Sequence, residues 1–192
     1  SLRRQRQMCI RDRNQTVQTD GMTQQSVDAY QNAKREAQNE SNTALALINN
    51  GDATEQQITT ETDRVNQQTT NLTQAINGLT VNKEPLETAK TALQNNIDQV
   101  PSTDGMTQQS VANYNQKLQI AINEINTINN VLANNPDVNA IRTNKAEAER
   151  ISNDLTQAKN NLQVDTQPLE KIKRQLQDEI DQGTNTCLLY TS

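Results

Sequence analysis

Histidine, tryptophan and phenylalanine are absent from the 192 residues, and Tyr30, Tyr114 and Tyr190 are the only aromatic side chains. Without histidine, every mechanism that needs an imidazole as base, acid or metal ligand is excluded. Cysteine occurs only as Cys9 and Cys187, so residues 14–186 have no thiol to act as nucleophile, ligand or disulfide partner. No stretch approaches the ~18 consecutive apolar residues of a membrane span, and apolar residues make up only 32% of the chain, too few for a large core. What is present instead is amide and hydroxyl: 51 Asn or Gln and 23 Thr. Such a composition belongs to a disordered chain or to thin helical bundles. The net charge of −5 gives a surface that repels nucleic acid and anionic membranes alike, so neither is expected as a partner.

Composition shifts at both ends. Residues 1–13 read SLRRQRQMCIRDR and hold five of the ten arginines, and residues 187–192 read CLLYTS. Between them, residues 14–186 carry 13 Lys or Arg against 22 Asp or Glu, a net charge of −9. An Arg-rich arm on nucleic acid or a Cys9–Cys187 disulfide are two readings of these ends. A third treats 1–13 and 187–192 as non-native tails, since both resemble translated sequencing-adapter read-through, and it is the one adopted.

The interior repeats. Thr19–Tyr30 reads TDGMTQQSVDAY and Thr103–Tyr114 reads TDGMTQQSVANY, ten identities in twelve at an offset of 84. Further on, Leu72, Ala75, Leu79, Val81, Pro85, Leu86, Leu93 and Ile97 match residues of the same type at an offset of 83, so one residue is lost in a loop. The register stops where composition changes: Arg13 stands where the repeat has Ile97, and Cys187 where it has Asp104. A fixed period cut mid-unit at both ends is the pattern of a piece of a tandem array.

Each unit reads as three helices. Val111, Tyr114, Leu118, Ala121, Ile125, Ile128 and Leu132 step by three and four and form one stripe. The first copy keeps Val27, Tyr30, Ala37, Ala44 and Ile48 but has Lys34 and Ser41 in the stripe, which predicts a weaker bundle. Thr23 and Thr107 are the expected N-caps, with Met22/Val27 and Met106/Val111 at staple spacing after an Asp-Gly turn. The next helix is expected to start near Asp52, as N-cap with a reciprocal Glu55, and its counterpart after Pro136-Asp137. A shorter helix opens with Pro85 or Pro168 in its first turn. The expected fold is therefore all-α: tandem three-helix-bundle repeats forming an elongated rod.

PLETAKTAL at 85–93, TDGMTQQSVANY at 103–114 and ISNDLTQAKNNL at 151–162 together resemble one FIVAR-type helical repeat of giant staphylococcal cell-surface proteins. The resemblance covers essentially all of 14–186. It implies a repeat lacking its first helix at 14–82, a complete three-helix repeat at 83–163 and the first helix of a further repeat at 164–186. It also implies a cell-wall-associated, extracellular location in a Gram-positive bacterium, with host extracellular matrix such as fibronectin and neighbouring repeats of the same chain as partners. A stalk that only projects a binding domain is the alternative.

No catalytic, cofactor-binding or metal-binding residue is assigned, and the ligand-binding residues are left unknown. Asp178, Glu179 and Asp181, and likewise Glu147 and Glu149, read as solvated helix faces whose carboxylates diverge. Thin bundles offer little room for a closed pocket with a tuned base, so no enzyme is expected. Tyr30 and Tyr114 read as packing residues with the hydroxyl at the rim, not as ligand-stacking platforms. The recurrent TDGM turn is accounted for by its glycine and N-cap chemistry before any recognition role. The Asn71-Leu72-Thr73 sequon lies on an expected helix of a bacterial protein and carries no argument.

Overall fold

The computed structural model describes residues 17–189, with side chains over 17–183. The tail expected at 1–13, including Cys9, lies outside the described residues, as do Tyr190 and the side chain of Cys187. Among the described residues the helices are six: α1 (Gln24–Ile48), α2 (Glu55–Asn77), α3 (Glu84–Asp98), α4 (Gln108–Ala133), α5 (Val138–Asn160) and α6 (Gln167–Leu189). The described residues contain no strand, only the isolated bridges Met22–Val81 and Met106–Val164. The fold is all-α, as expected.

The helices repeat with the sequence. α2 and α5 share both boundaries at an offset of 83, α3 and α6 start at the same offset, and α1 and α4 start 84 apart. The lost residue therefore lies in the hairpin loop, between Ile48 and Glu55 in one copy and between Leu132 and Val138 in the other.

One start differs from expectation. Thr54, not Asp52, is the N-cap of α2, and its side chain accepts from the Gln57 amide while the Gln57 side chain accepts from the Thr54 amide. Asp52 sits two residues too early, in the turn, where its amide donates to Asn50 Oδ1. Both positions have a residue three on that could close a reciprocal box, Glu55 for Asp52 and Gln57 for Thr54, and it is the Thr54–Gln57 box that forms; Asp137 takes the equivalent place ahead of α5, accepting from the Ala140 amide at 2.7 Å.

The chain divides into two compact units. The first comprises residues up to Pro85 together with Asn135–Ile141, and the second comprises Leu86–Asn134 and residues from Arg142 onward. In the second, Leu86, Leu93, Tyr114, Ala121, Ile128, Ala148, Ile151, Leu155 and Ala158 are buried, and hydrogen bonds hold α3 to α5. Every residue of the predicted α4 stripe is buried or half-buried. In the first unit the α1–α2 hairpin has no such third helix among the described residues: Ser26, Tyr30 and Glu61 are its buried hairpin side chains, and Lys34 and Ser41 face solvent.

Asn96 locks α3 to α5. Its Nδ2 donates to Ser152 O at 2.8 Å, Ser152 Oγ at 3.0 Å and Thr156 Oγ1 at 2.9 Å, while Lys159 Nζ donates to Asn96 Oδ1 at 2.9 Å and to its backbone carbonyl. Burial holds the Lys159 ammonium below the usual lysine range. Asn96→Ala leaves that ammonium and the Ser152 carbonyl short of partners, and is expected to lower stability by about 1–2 kcal/mol. Urea unfolding followed by circular dichroism measures it, and an unchanged midpoint would show the lock to be ornamental.

Candidate functional site

Three features other than the α3 lock join residues distant in sequence, and each is built from the local chemistry of its helices. The first is the TDGM turn. Gly21 and Gly105 adopt positive φ of 78° and 71°, which turns the chain back so that the following residue pairs with the loop after the hairpin. In the first unit Thr23 N donates to Thr80 O at 2.7 Å and Asn82 N to Gly21 O at 2.8 Å; in the second Thr107 N donates to Gln163 O at 2.7 Å and Asp165 N to Gly105 O at 2.8 Å. Ser26 and Ser110 complete the knot, each Oγ donating to the Thr23 or Thr107 carbonyl at 2.9 Å and accepting the Thr80 or Gln163 amide at 3.2 Å. The Gly, Thr and Ser of the motif recur because their polar atoms make this closure in both units.

The second feature is a charged strip across α4 and α5. Lys117 Nζ and Arg150 Nη1 both reach Asp154 Oδ2 at 3.0 Å, and Arg150 forks onto Glu147 at 2.6 and 2.9 Å. The Lys117 hydrogen bond holds the Asp154 carboxyl below its ordinary value, the Arg150 hydrogen bond does the same for Glu147, and Arg150 is held above the ordinary guanidinium value. Glu124, beneath the strip, goes the other way: burial, then the charge of Glu147, raises it, and its Oε1 has no hydrogen-bond partner. Glu147 is thus a member of an ion-pair network on a face that stays open to solvent, its side chain 44% exposed.

The third feature is the open hairpin of α1 and α2. A groove of about 520 Å³ runs past Ala44, Leu47, Ile48, Ile58 and Val65, with Glu61 in its wall. Ile58 is 53% exposed, whereas its counterpart Ile141 is 5% exposed. The Oε1 atoms of Glu40 and Glu61 are buried without a hydrogen-bond partner, and Arg64 approaches Glu61 at 3.8 Å. Burial, then the charge of the Glu40 carboxylate beside it, pushes the Glu61 carboxyl up, and Arg64 only partly offsets this. A raised folded value means that the folded state binds the proton more tightly than the unfolded chain, so Glu61 weakens the hairpin at neutral pH and the penalty lifts as pH falls. Glu61→Gln is expected to raise the thermal midpoint at about pH 7 and to remove part of the gain that the parent chain shows on going to about pH 5. Melts of both proteins at both pH values check this; a variant lower by the same amount at each pH would contradict it.

Of the residues weighed in the sequence, Asp178, Glu179 and Asp181 lie exposed on α6, and among the described residues no three carboxylate or thiol side chains converge to hold a metal. Tyr30 and Tyr114 are buried in the seams, but the Tyr114 hydroxyl is not at the rim: its Oη is enclosed with no partner, and burial raises its value. Lys34 Nζ stands 6.0 Å from the Tyr30 ring centroid, so the polar intruder in the first stripe finds a cation–π place beside it. Sequence reasoning missed the Ser26 and Ser110 keystones, the Asn96–Lys159 lock and the Glu40–Glu61 pair. The recurrence of serine inside an otherwise identical motif, and of Val81 as Val164, was the available signal for the first.

Extracellular matrix-binding protein EbhB of Staphylococcus aureus (strain Newman) is 53% identical over 173 residues, which is 90% of this chain and 2% of that protein. Extracellular matrix-binding protein ebh of Staphylococcus aureus (strain USA300) gives the same figures, and EbhB of strain N315 is 50% identical over 173 residues, 90% of this chain and 4% of that protein. The chain spans a few hundredths of the length of these relatives. No solved structure matches it. The FIVAR domain matches residues 10–80 and 89–170, which is most of the chain, and the chain belongs to the FIVAR domain family.

Proposed function

We propose that the chain is a repeat segment of a Gram-positive, cell-wall-associated surface adhesin that binds host extracellular matrix, with fibronectin-like ligands, through many weak repeated sites. The observation that carries this reading is the 53% identity over 90% of the chain to a protein named for extracellular matrix binding. This reading asks no catalytic step of the segment. The helix ends at Asn77 and Asn160 lie just ahead of the boundaries of the division into 14–82, 83–163 and 164–186, and the reading of 1–13 and 187–192 as tails foreign to the array rests on the break in repeat register at Arg13 and Cys187.

Weak sites gain strength by linkage, since tethering raises effective concentration and lifts avidity by about 10²–10⁴ over a single site. The 192-residue chain and a head-to-tail fusion of four copies, applied to immobilised fibronectin, test this. The fusion is expected to bind at least about 100-fold more tightly than the single chain. Failure of both to bind, with helicity intact, would sink the adhesin reading.

One observation favours a stalk as the second reading. In the 83–163 repeat the exposed large apolar side chains are Val100, Ile120 and Ile122, and Tyr114 is buried, whereas binding hot spots are enriched in aromatic residues and Arg. A surface so rich in amides gives length and solubility before it gives affinity.

A further inference from the structure

The compact units do not divide where the repeats do. Asn135–Ile141 is the loop and first helical turn of the second repeat's α4–α5 hairpin, yet it packs with the first unit. We infer that the TDGM turn of one repeat is the seat for the hairpin tip of the next, with Val138 filling the space that Gly21 leaves by having no side chain. Consecutive repeats are then held to each other by this contact as well as by the chain between them.

Gly21 carries the argument. A Cβ placed there would have atoms of Val138 as its three nearest neighbours, Cγ2 at 3.0 Å and Cβ at 3.2 Å, with Cγ1 closer than either. Side chains do not approach so near, hence only glycine lets the Val138 isopropyl group lie against the turn. The turn does not need Val138 for its own shape. At Gly105, where a Cβ would meet nothing within 4 Å, φ is 71° against 78° at Gly21, and the closure bonds are 2.7 and 2.8 Å in both turns. The seat is therefore formed by its own repeat before the tip arrives. Glycine serves it twice: the positive φ closes the turn in both copies, and the missing Cβ admits the tip in the first.

The tip is equally well fixed. Pro136 sets its own φ and is buried. Asp137 accepts from the Ala140 amide at 2.7 Å through its side chain and from the Ile141 amide at 3.1 Å through its carbonyl. These bonds hold the start of α5, whose first residue is Val138, and Ile141 behind it is 5% exposed. A fixed tip meeting a fixed seat loses little conformational freedom on contact. The contact also discriminates between tips. The first repeat's own tip has Ala53 and Glu55 where this one has Pro136 and Val138, and a glutamate there would bring a carboxylate up to the turn in place of an apolar group. Coupling between neighbouring repeats then varies along an array with the residue at this one position. The inference stands whether the array binds matrix or only gives length.

Amide hydrogen exchange of the 192-residue chain, read residue by residue by NMR, tests the joint from both sides. Val138→Glu gives this tip the residue of the first one, and it suits α5 itself, since a carboxylate in the first turn complements the helix dipole. It is expected to lower the protection of the Thr23 and Asn82 amides, which close the first turn, by about 10-fold, with the Thr107 and Asp165 amides of the second turn staying within about twofold of the parent. Gly21→Ala probes the reverse direction. Coupling is reciprocal, so it should speed exchange of the Ile141 amide in the next repeat by a similar factor. Should Val138→Glu fail to fold, Val138→Ala repeats the first reading with a smaller expected loss of about threefold. Unchanged protection across the contact in either direction would overturn the inference. So would equal losses at the two turns, which would mean a general weakening of the fold in place of a joint.

Discussion

Leu93→Ala is expected to cost the 83–163 repeat about 2–5 kcal/mol, whereas Leu176→Ala, at the same place in the repeat, is expected to stay within about 0.5 kcal/mol. The two leucines are the same residue in the same helix register with opposite surroundings. Leu93 is fully buried on α3, and Leu176 is 61% exposed on α6. Truncating Leu93 loses both the transfer free energy of the removed methyl groups and the contacts around the space they leave. The repeat has few large side chains with which to absorb that loss: Leu86, Leu93, Ile128 and Leu155 are the largest that are fully enclosed. Against a total of about 5–15 kcal/mol for a typical domain, the substitution should release α3 before the α4–α5 hairpin opens. Urea unfolding with hydrogen exchange on the α3 amides reads both effects. Equal losses from the two substitutions would mean that α6 is packed as α3 is.

How far the sequence could be read follows from which interactions are periodic. The α4 stripe was legible because burial recurs every three or four residues, and the offset of 84 then 83 was enough to place α2 on α5 and α3 on α6. The exposure of Ile58 and Leu176 was not legible from their own segments, since a helix face carries the same pattern whether or not a partner covers it. Burial is a property of what lies across the face, and sequence periodicity describes one side only. The polar contacts were hidden for a related reason. Asn96, Ser152 and Lys159 are ordinary surface residues in a chain with 51 Asn or Gln, and only the crossing of α3 over α5 makes them a lock. Asp52 misled because Asp52 with Glu55 and Thr54 with Gln57 fit the same capping pattern, and only the second pair closes. The Tyr114 hydroxyl was expected at the rim because that is where a phenol normally finds water; the bundle closes over it instead.

The turn glycines separate two effects that the repeated motif runs together. Gly21 and Gly105 have nearly the same positive φ, so replacing either by alanine costs about 1–2 kcal/mol of backbone strain. Their surroundings differ. A Cβ on Gly105 would meet open space, while one on Gly21 would fall inside van der Waals contact of both Val138 methyl groups, and Val138 belongs to the same compact unit. Gly21→Ala therefore adds a packing conflict of about 1–3 kcal/mol to the strain, because a close-packed neighbour must shift or leave its rotamer. The expected order is a loss of about 2–4 kcal/mol for Gly21→Ala and about 1–2 for Gly105→Ala. Val138→Ala in the Gly21→Ala background should recover the difference and leave the strain, whereas in the Gly105→Ala background it should add its own small cost and recover nothing. The double-mutant cycle, read by urea unfolding, isolates the pairing of Gly21 with Val138. Coupling of the same size at both glycines would place the cost in the turn alone, and the closeness of Val138 would then have no energetic consequence.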